Sequence, residues 1–176
     1  MAGALNLLGL LGLTAVQVAG FAFQFGLGEL PCPLCLLQRV AFAMVAFGFL
    51  LNVRYGAQAM HYGIILLGAL FGMSVAGRQV LLHIVPGSGA YGSAVLGMHF
   101  YTWAFLLFGA TILATAVLLL LPGEAPVRRG RWAAVAVYVA IAVTAANAAT
   151  TFAECGPIEC PDDPVGYWLL TVLRGG

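Results

Sequence analysis

Apolar residues run through this chain in five long blocks separated by short polar stretches. A helix needs about 20 apolar residues to cross the hydrocarbon core of a bilayer. Residues 3–28, 34–53, 61–83, 100–121 and 132–152 each meet that need. The pattern predicts an all-α integral membrane protein: a four-helix-bundle core, an extra fifth transmembrane helix and an outer C-terminal tail over 153–176. No long linker or low-complexity stretch interrupts it, so residues 1–176 read as a single transmembrane domain. Asn6, Gln17 and Gln24 interrupt the first block. No Lys or Arg precedes that block, and it is too long for the apolar region of a signal peptide, so a retained membrane helix is expected.

Smaller features refine the picture. Val165 to Leu173 is too short to span, and Tyr167 and Trp168 favour the headgroup level, which predicts a short interfacial helix. Phe100, Tyr101 and Trp103 form a similar aromatic group at the outer end of the fourth helix. Pro86 to Ser93 reads as a small, flexible outer loop. Gly68 and Gly72, four apart in the third helix, allow another helix to approach closely within the bundle. Gln17 and Asn147 are expected to hydrogen-bond between helices.

Composition identifies the solvent. Of 176 residues, 62% are hydrophobic and 7% charged, with mean hydropathy +1.03. Soluble domains carry roughly 25% charged residues, so most of this chain is solvated by the lipid bilayer. A net charge of +1 with no polybasic arm argues against nucleic acid as a partner. With no lysine in the loops, arginine sets the orientation: Arg54 follows the second helix, and Arg128, Arg129 and Arg131 follow the fourth. Both loops fall on one side, which the positive-inside rule makes cytoplasmic. The N-terminus is then inside. The C-terminus and both cysteine pairs, Cys32/Cys35 and Cys155/Cys160, face the disulfide-permissive side.

Cys32-Pro33-Leu34-Cys35-Leu36-Leu37-Gln38-Arg39 opens the second helix. Cys32 reads as its N-cap and Pro33 as its first residue, where a missing N–H does no harm. Cys35 then sits in the first turn, where unpaired N–H groups favour a thiolate. Arg39, four residues on, shares a helix face with Cys35 and lies roughly 6 Å deeper at 1.5 Å per residue. A lone arginine there would snorkel to the headgroups; the cysteine pair one turn above gives Arg39 a chemical reason to stay. A dithiol beside lipid needs an electron acceptor that dissolves in lipid. A membrane quinone fits, since it takes two electrons and is polar at two ends. Arg39 is expected to hold a quinone oxygen, with Gln38 beside it. His83 and His99, at the outer ends of the third and fourth helices, can donate a hydrogen bond or a proton, or be interfacial polar residues.

The second pair differs in character. Glu154, Glu159, Asp162 and Asp163 surround Cys155 and Cys160, and carboxylates hold thiols protonated. Gly156 and Pro157 suggest a turn that brings the sulfurs together. A bridge closing so short a loop is an exchangeable one, suited to shuttling electrons from an external thiol protein, or else a staple for the tail. Four cysteines allow three pairings, and spacing alone does not choose among them. A structural zinc site would need both pairs to converge, with no His beside either, so no metal is expected.

At Cys32-Pro-Leu-Cys35-Leu-Leu-Gln-Arg39 the sequence resembles the DsbB family of bacterial inner-membrane thiol oxidases, and Arg78-Gln79-Val-Leu-Leu-His83-Ile-Val-Pro86 is similar to the end of that family's third helix. The resemblance covers about residues 5–86. It implies re-oxidation of a periplasmic DsbA-like thioredoxin-fold protein, with two electrons passed to ubiquinone or menaquinone. It also implies that Cys32 exchanges with the second pair, that Cys35 sits against the quinone with Arg39, and that Cys155 and Cys160 are the second redox pair. The family carries that pair between helices three and four; here the pair follows a fifth helix. Two other readings stand beside this one: a quinone reductase resembling the vitamin K epoxide reductase family, and a membrane assembly protein with two structural disulfides.

Overall fold

The computed structural model describes residues 2–121, 130–158, 160–162 and 164–174. Arg128 and Arg129, used above for orientation, and Glu159 and Asp163, used for the acidic setting of the second pair, lie outside the described residues. Five helices are long and apolar enough to cross a membrane: α1 (Ala2–Gly26), α2 (Pro33–Tyr55), α3 (Ala59–Leu82), α4 (Phe100–Leu119) and α5 (Arg131–Cys155). A short α6 (Trp168–Leu173) follows the second cysteine pair. The protein is an all-α membrane protein, as the block pattern predicts. Helix α2 packs against α1, α3 and α5; α4 packs on α3, and α5 also packs on α1 and α6.

The helices turn their apolar sides outward and several of their polar residues inward. Leu67 and Leu113 are 65% and 70% exposed, whereas Asn6, Gln17, Gln24, Gln38, Asn52, Gln79 and Asn147 are buried. Lipid accepts leucine but offers amides no hydrogen bonds, so the polar groups must find each other. At the end remote from the cysteines they do. Asn6 Nδ2 donates to Tyr62 Oη at 2.8 Å, Asn52 Nδ2 donates to Asn6 Oδ1 at 2.8 Å, and His61 Nδ1 lies 3.0 Å from Asn52 Oδ1. This network joins α1, α2 and α3.

Close packing fills the middle. Gly68 faces Met44 and Val45 of α2, and Gly72 faces the Phe108 ring of α4. The small-residue pair is therefore used within the bundle. Phe108 stacks on Phe42 with ring centroids 4.2 Å apart.

The helix bounds fall within a few residues of those expected, and the ends of α1 and α5 and the segment between α3 and α4 show why they depart. Helix α1 stops at Gly26, because the amides of Leu27 and Glu29 both turn back to Phe23 O and Gly28 takes φ +70°. Helix α5 continues past residue 152 to Cys155, and Gly156 at φ +66° ends it. The segment between α3 and α4 carries a small hairpin, β1 (Ala94–Val95) with β2 (Met98–His99), paired antiparallel. Leu96 and Gly97 both have positive φ, 52° and 80°, the geometry of a tight two-residue hairpin turn.

Gly72→Ala tests the packing of α3 on α4. A Cβ there would overlap Phe108, which is fully buried and backed by Phe42. The variant should lose roughly 1–3 kcal/mol, seen as a lower thermal midpoint in detergent; an unchanged midpoint would mean the contact is looser than described.

Candidate functional site

Cys32 caps α2 and Pro33 occupies its first turn. The cap is made by sulfur: Cys35 N–H donates to Cys32 Sγ at 3.2 Å. The two cysteines form a disulfide, with Cα atoms 5.0 Å apart. Gln79 of α3 lies against this bridge, its Nε2 3.3 Å from Cys32 Sγ and 3.6 Å from Cys35 Sγ. Gln38 Nε2 donates to Gln79 Oε1 at 2.7 Å, which fixes the amide with its N–H groups toward the sulfurs. Gln79 was not among the residues the sequence singled out for chemistry. Its signal was a buried amide in an apolar helix, one turn before His83.

Cys35 faces a cavity of about 350 Å³ between α1, α2 and α4, and Gln38 and Arg39 line the same wall. Phe23, Phe100 and Tyr101 supply aromatic surface. Phe23 meets Phe100 edge-on at 4.3 Å, joining α1 to α4 at the cysteine-bearing end. The segment between α3 and α4 roofs the space: Tyr91 Oη donates to Leu30 O at 2.6 Å, and Ser93 N–H reaches both oxygens of Glu29 at 3.2 Å. That segment is thus tied to the α1–α2 link. The aromatic residues assigned to an interfacial belt have specific partners, Trp103 Nε1 donating to Val95 O at 2.9 Å among them.

Arg39 is held inside the bundle. Its Nη1 donates to Gln24 Oε1 at 2.7 Å and to Asn147 Oδ1 at 3.4 Å; its Nη2 donates to Gly20 O at 3.2 Å. The guanidinium also lies 5.7 Å from the centre of the Phe21 ring. Gly20 leaves room for it, since a Cβ there would stand 3.4 Å from Nη2. Asn147 in turn donates to Gln17 Oε1 at 3.1 Å, the interhelical bond expected of this pair. Gln24 Nε2 donates to Tyr167 Oη at 3.0 Å, extending the network to the chain beyond the second cysteine pair. Arg78, by contrast, is exposed.

His83 stands behind the cavity wall. Its ring stacks on Tyr101 at 5.2 Å, and its Nδ1 lies 2.8 Å from Gln79 O. His99 stacks on the same tyrosine at 5.5 Å.

Cys155 and Cys160 form the second disulfide, Cα atoms 4.8 Å apart. Cys155 is buried as the last residue of α5, and Cys160 is half-buried beyond it. The Trp168 ring covers Gly156 and meets Phe152 edge-on at 6.2 Å, seating α6 on the end of α5. Among the described residues no three His, Cys, Asp or Glu side chains gather as a metal site.

The family model for "Disulfide bond formation protein DsbB" matches residues 3–91, half of the chain. The chain belongs to the DsbB family. Among curated proteins named "Disulfide bond formation protein B", that of Xanthomonas euvesicatoria pv. vesicatoria is 39% identical over 85 residues, 46% of this chain and 49% of the relative. That of Nitrosomonas eutropha is 39% identical over 83 residues, 44% and 51% of the two chains. That of Xylella fastidiosa is 34% identical over 85 residues, 46% and 49%. The chain spans about half the length of the curated relatives it matches. No solved structure matches it. The DsbB match holds α1 to α3 with Cys32, Cys35, Gln38, Arg39, Gln79 and His83; α4, α5, Cys155 and Cys160 lie beyond it.

Gln79→Ala leaves the Gln38 amide without its acceptor and the bridge without its donor. Burying an unpaired donor costs about 1–3 kcal/mol. The variant should show a lower thermal midpoint in detergent and faster reduction of the Cys32–Cys35 bridge by dithiothreitol. Wild-type values for both would remove Gln79 from the site.

Proposed function

We propose that the protein is a membrane thiol oxidase. It re-oxidises a periplasmic DsbA-like thioredoxin-fold protein and passes two electrons to ubiquinone or menaquinone. All 176 residues act as one unit in the bacterial inner membrane, with the N-terminus cytoplasmic and both cysteine pairs periplasmic. The observation that carries this reading is one cavity walled by one sulfur of a disulfide, Cys35, and by a half-buried cation one helical turn away, Arg39.

The residues present fit a quinone. A volume of about 350 Å³ lies within the roughly 300–1,000 Å³ of small-molecule sites. Phe23, Phe100 and Tyr101 offer flat apolar surface for a ring, while Arg39 and Gln38 offer N–H donors for its oxygen. When bound, the quinone supplies a two-electron, two-proton acceptor. Arg39 orients it and favours charge gathering on the oxygen it holds. The Gln38–Gln79 pair holds the bridge at the cavity wall, and His83 acts through Tyr101, which it stacks on.

Electrons arrive by exchange. A partner dithiol reduces the Cys155–Cys160 bridge, becoming a disulfide itself. The resulting thiols reduce Cys32–Cys35 through attack at Cys32, which stands off the cavity. Re-formation of the Cys32–Cys35 bridge releases two electrons and two protons, the number a quinone takes up. The names of the relatives support disulfide formation as the outcome.

Cys32→Ser should abolish quinone reduction by a reduced thioredoxin-like donor in purified membranes, and a normal rate would sink the mechanism. Arg39→Ala removes a charged hydrogen bond worth about 1.5–3 kcal/mol. The apparent KM for quinone should therefore rise about 10–100-fold, whereas an unchanged KM would leave Arg39 a purely architectural role.

A further inference from the structure

Glu154 has no place in the scheme above. It lies one residue before Cys155 at the end of α5, is 3% exposed, and neither carboxylate oxygen has a hydrogen-bond partner among the described residues. Arg39 is the charged group that acts on it electrostatically. Among the described residues the elements packed on α5 bring no competing charge: α1 and α6 contain no ionisable side chain, α2 presents Arg39, and the segment leading into α6 presents Tyr167. Asn147, two turns before Glu154 on the same helix, hydrogen-bonds Arg39 directly. One face of α5 therefore presents an amide and a carboxylate toward a single guanidinium.

We propose that Glu154 is a positioning residue that sets the redox poise of the Cys32–Cys35 pair through Arg39. The inference rests on the reading that Arg39 acts on Cys35, with which it shares a cavity wall. A disulfide becomes a stronger oxidant when its reduced, thiolate-bearing form is stabilised. Arg39 supplies the positive potential that favours a thiolate at Cys35. A carboxylate facing the same guanidinium offsets part of that potential. Glu154 thus restrains the oxidising strength of the first pair, and it does so from a helix outside the matched residues 3–91. The electron count is unchanged: two thiols and a disulfide exchange two electrons, and Glu154 alters only how far the equilibrium lies toward the reduced Cys32–Cys35 pair.

The test is the reduction potential of Cys32–Cys35, measured by glutathione redox titration and thiol alkylation of the purified full chain in lipid nanodiscs. It uses neither quinone nor protein partner, so it is readable even if the oxidase reading fails. Glu154→Gln keeps the shape and removes the charge. It should shift the equilibrium about tenfold toward the reduced pair, a potential about 30 mV more positive for a two-electron couple. Glu154→Asp should stay near wild type. In an Arg39→Gln background the Glu154→Gln shift should vanish, since the effect passes through Arg39. A wild-type potential for Glu154→Gln overturns the proposal, and so does a shift that survives without Arg39. If Glu154→Gln does not fold, Glu154→Ala, which also removes the charge, measured with and without Arg39→Gln decides. A potential that moves only when Arg39 is present supports the proposal, and equal movement in both backgrounds overturns it.

Discussion

A cation in an apolar bundle must be supplied with acceptors, and much of the cysteine-bearing half of this structure is arranged to supply them. Placing arginine at a helix centre costs roughly 2.5–3.5 kcal/mol on insertion scales. Here Gln24 and the Gly20 carbonyl of α1 and Asn147 of α5 meet that demand from two sides. Gln24 bonds Tyr167, and Asn147 bonds Gln17, so satisfying one guanidinium fixes α1, α2, α5 and the segment entering α6 relative to one another. The sulfur pair then has a defined neighbour on the cavity side, because the residue four positions below Cys35 cannot swing away to the headgroups.

The match to the DsbB family and the architecture divide the molecule in the same way. Helices α1 to α3 carry the first disulfide, the arginine and the amide pair that grips the sulfurs. Helix α5 ends in the first cysteine of the second disulfide and contributes an acceptor, Asn147, to the arginine of the matched half. Cys155 ends a helix that packs on both α1 and α2. The second pair is therefore tied to the first half through the same polar contacts that accommodate Arg39.

Much of this was legible in the sequence because lipid imposes simple rules. Apolar blocks long enough to span gave the five helices to within a few residues, and Cys32-Pro33 announced both the cap and the start of α2. Gly68 and Gly72 announced a close approach. What escaped notice depended on partners far away in the chain. Gln79 matters because Gln38 orients it toward two sulfurs. Glu154 looked like one acid in an acidic run, and its burial sets it apart from the exposed Asp162. The hairpin at Ala94–His99 has two-residue strands, too short for any alternation, and its turn places a leucine at positive φ where sequence rules expect Asn or Gly. The inward direction of Arg39 followed from the chemistry above it, but its acceptors on α1 and α5 had no signature beyond single amides in apolar blocks.

The Asn6–Asn52–His61–Tyr62 network anchors α1 at one end, clamping it to α2 and α3, while Arg39 and the Phe23–Phe100 contact hold it at the other, beside the cavity. From Asn6 to Gln24 is roughly 27 Å of helix at 1.5 Å per residue. A rod pinned at both ends of that length has no free end to pivot into the space beside Cys35, so the two anchors, rather than an occupant, set the position of the cavity wall.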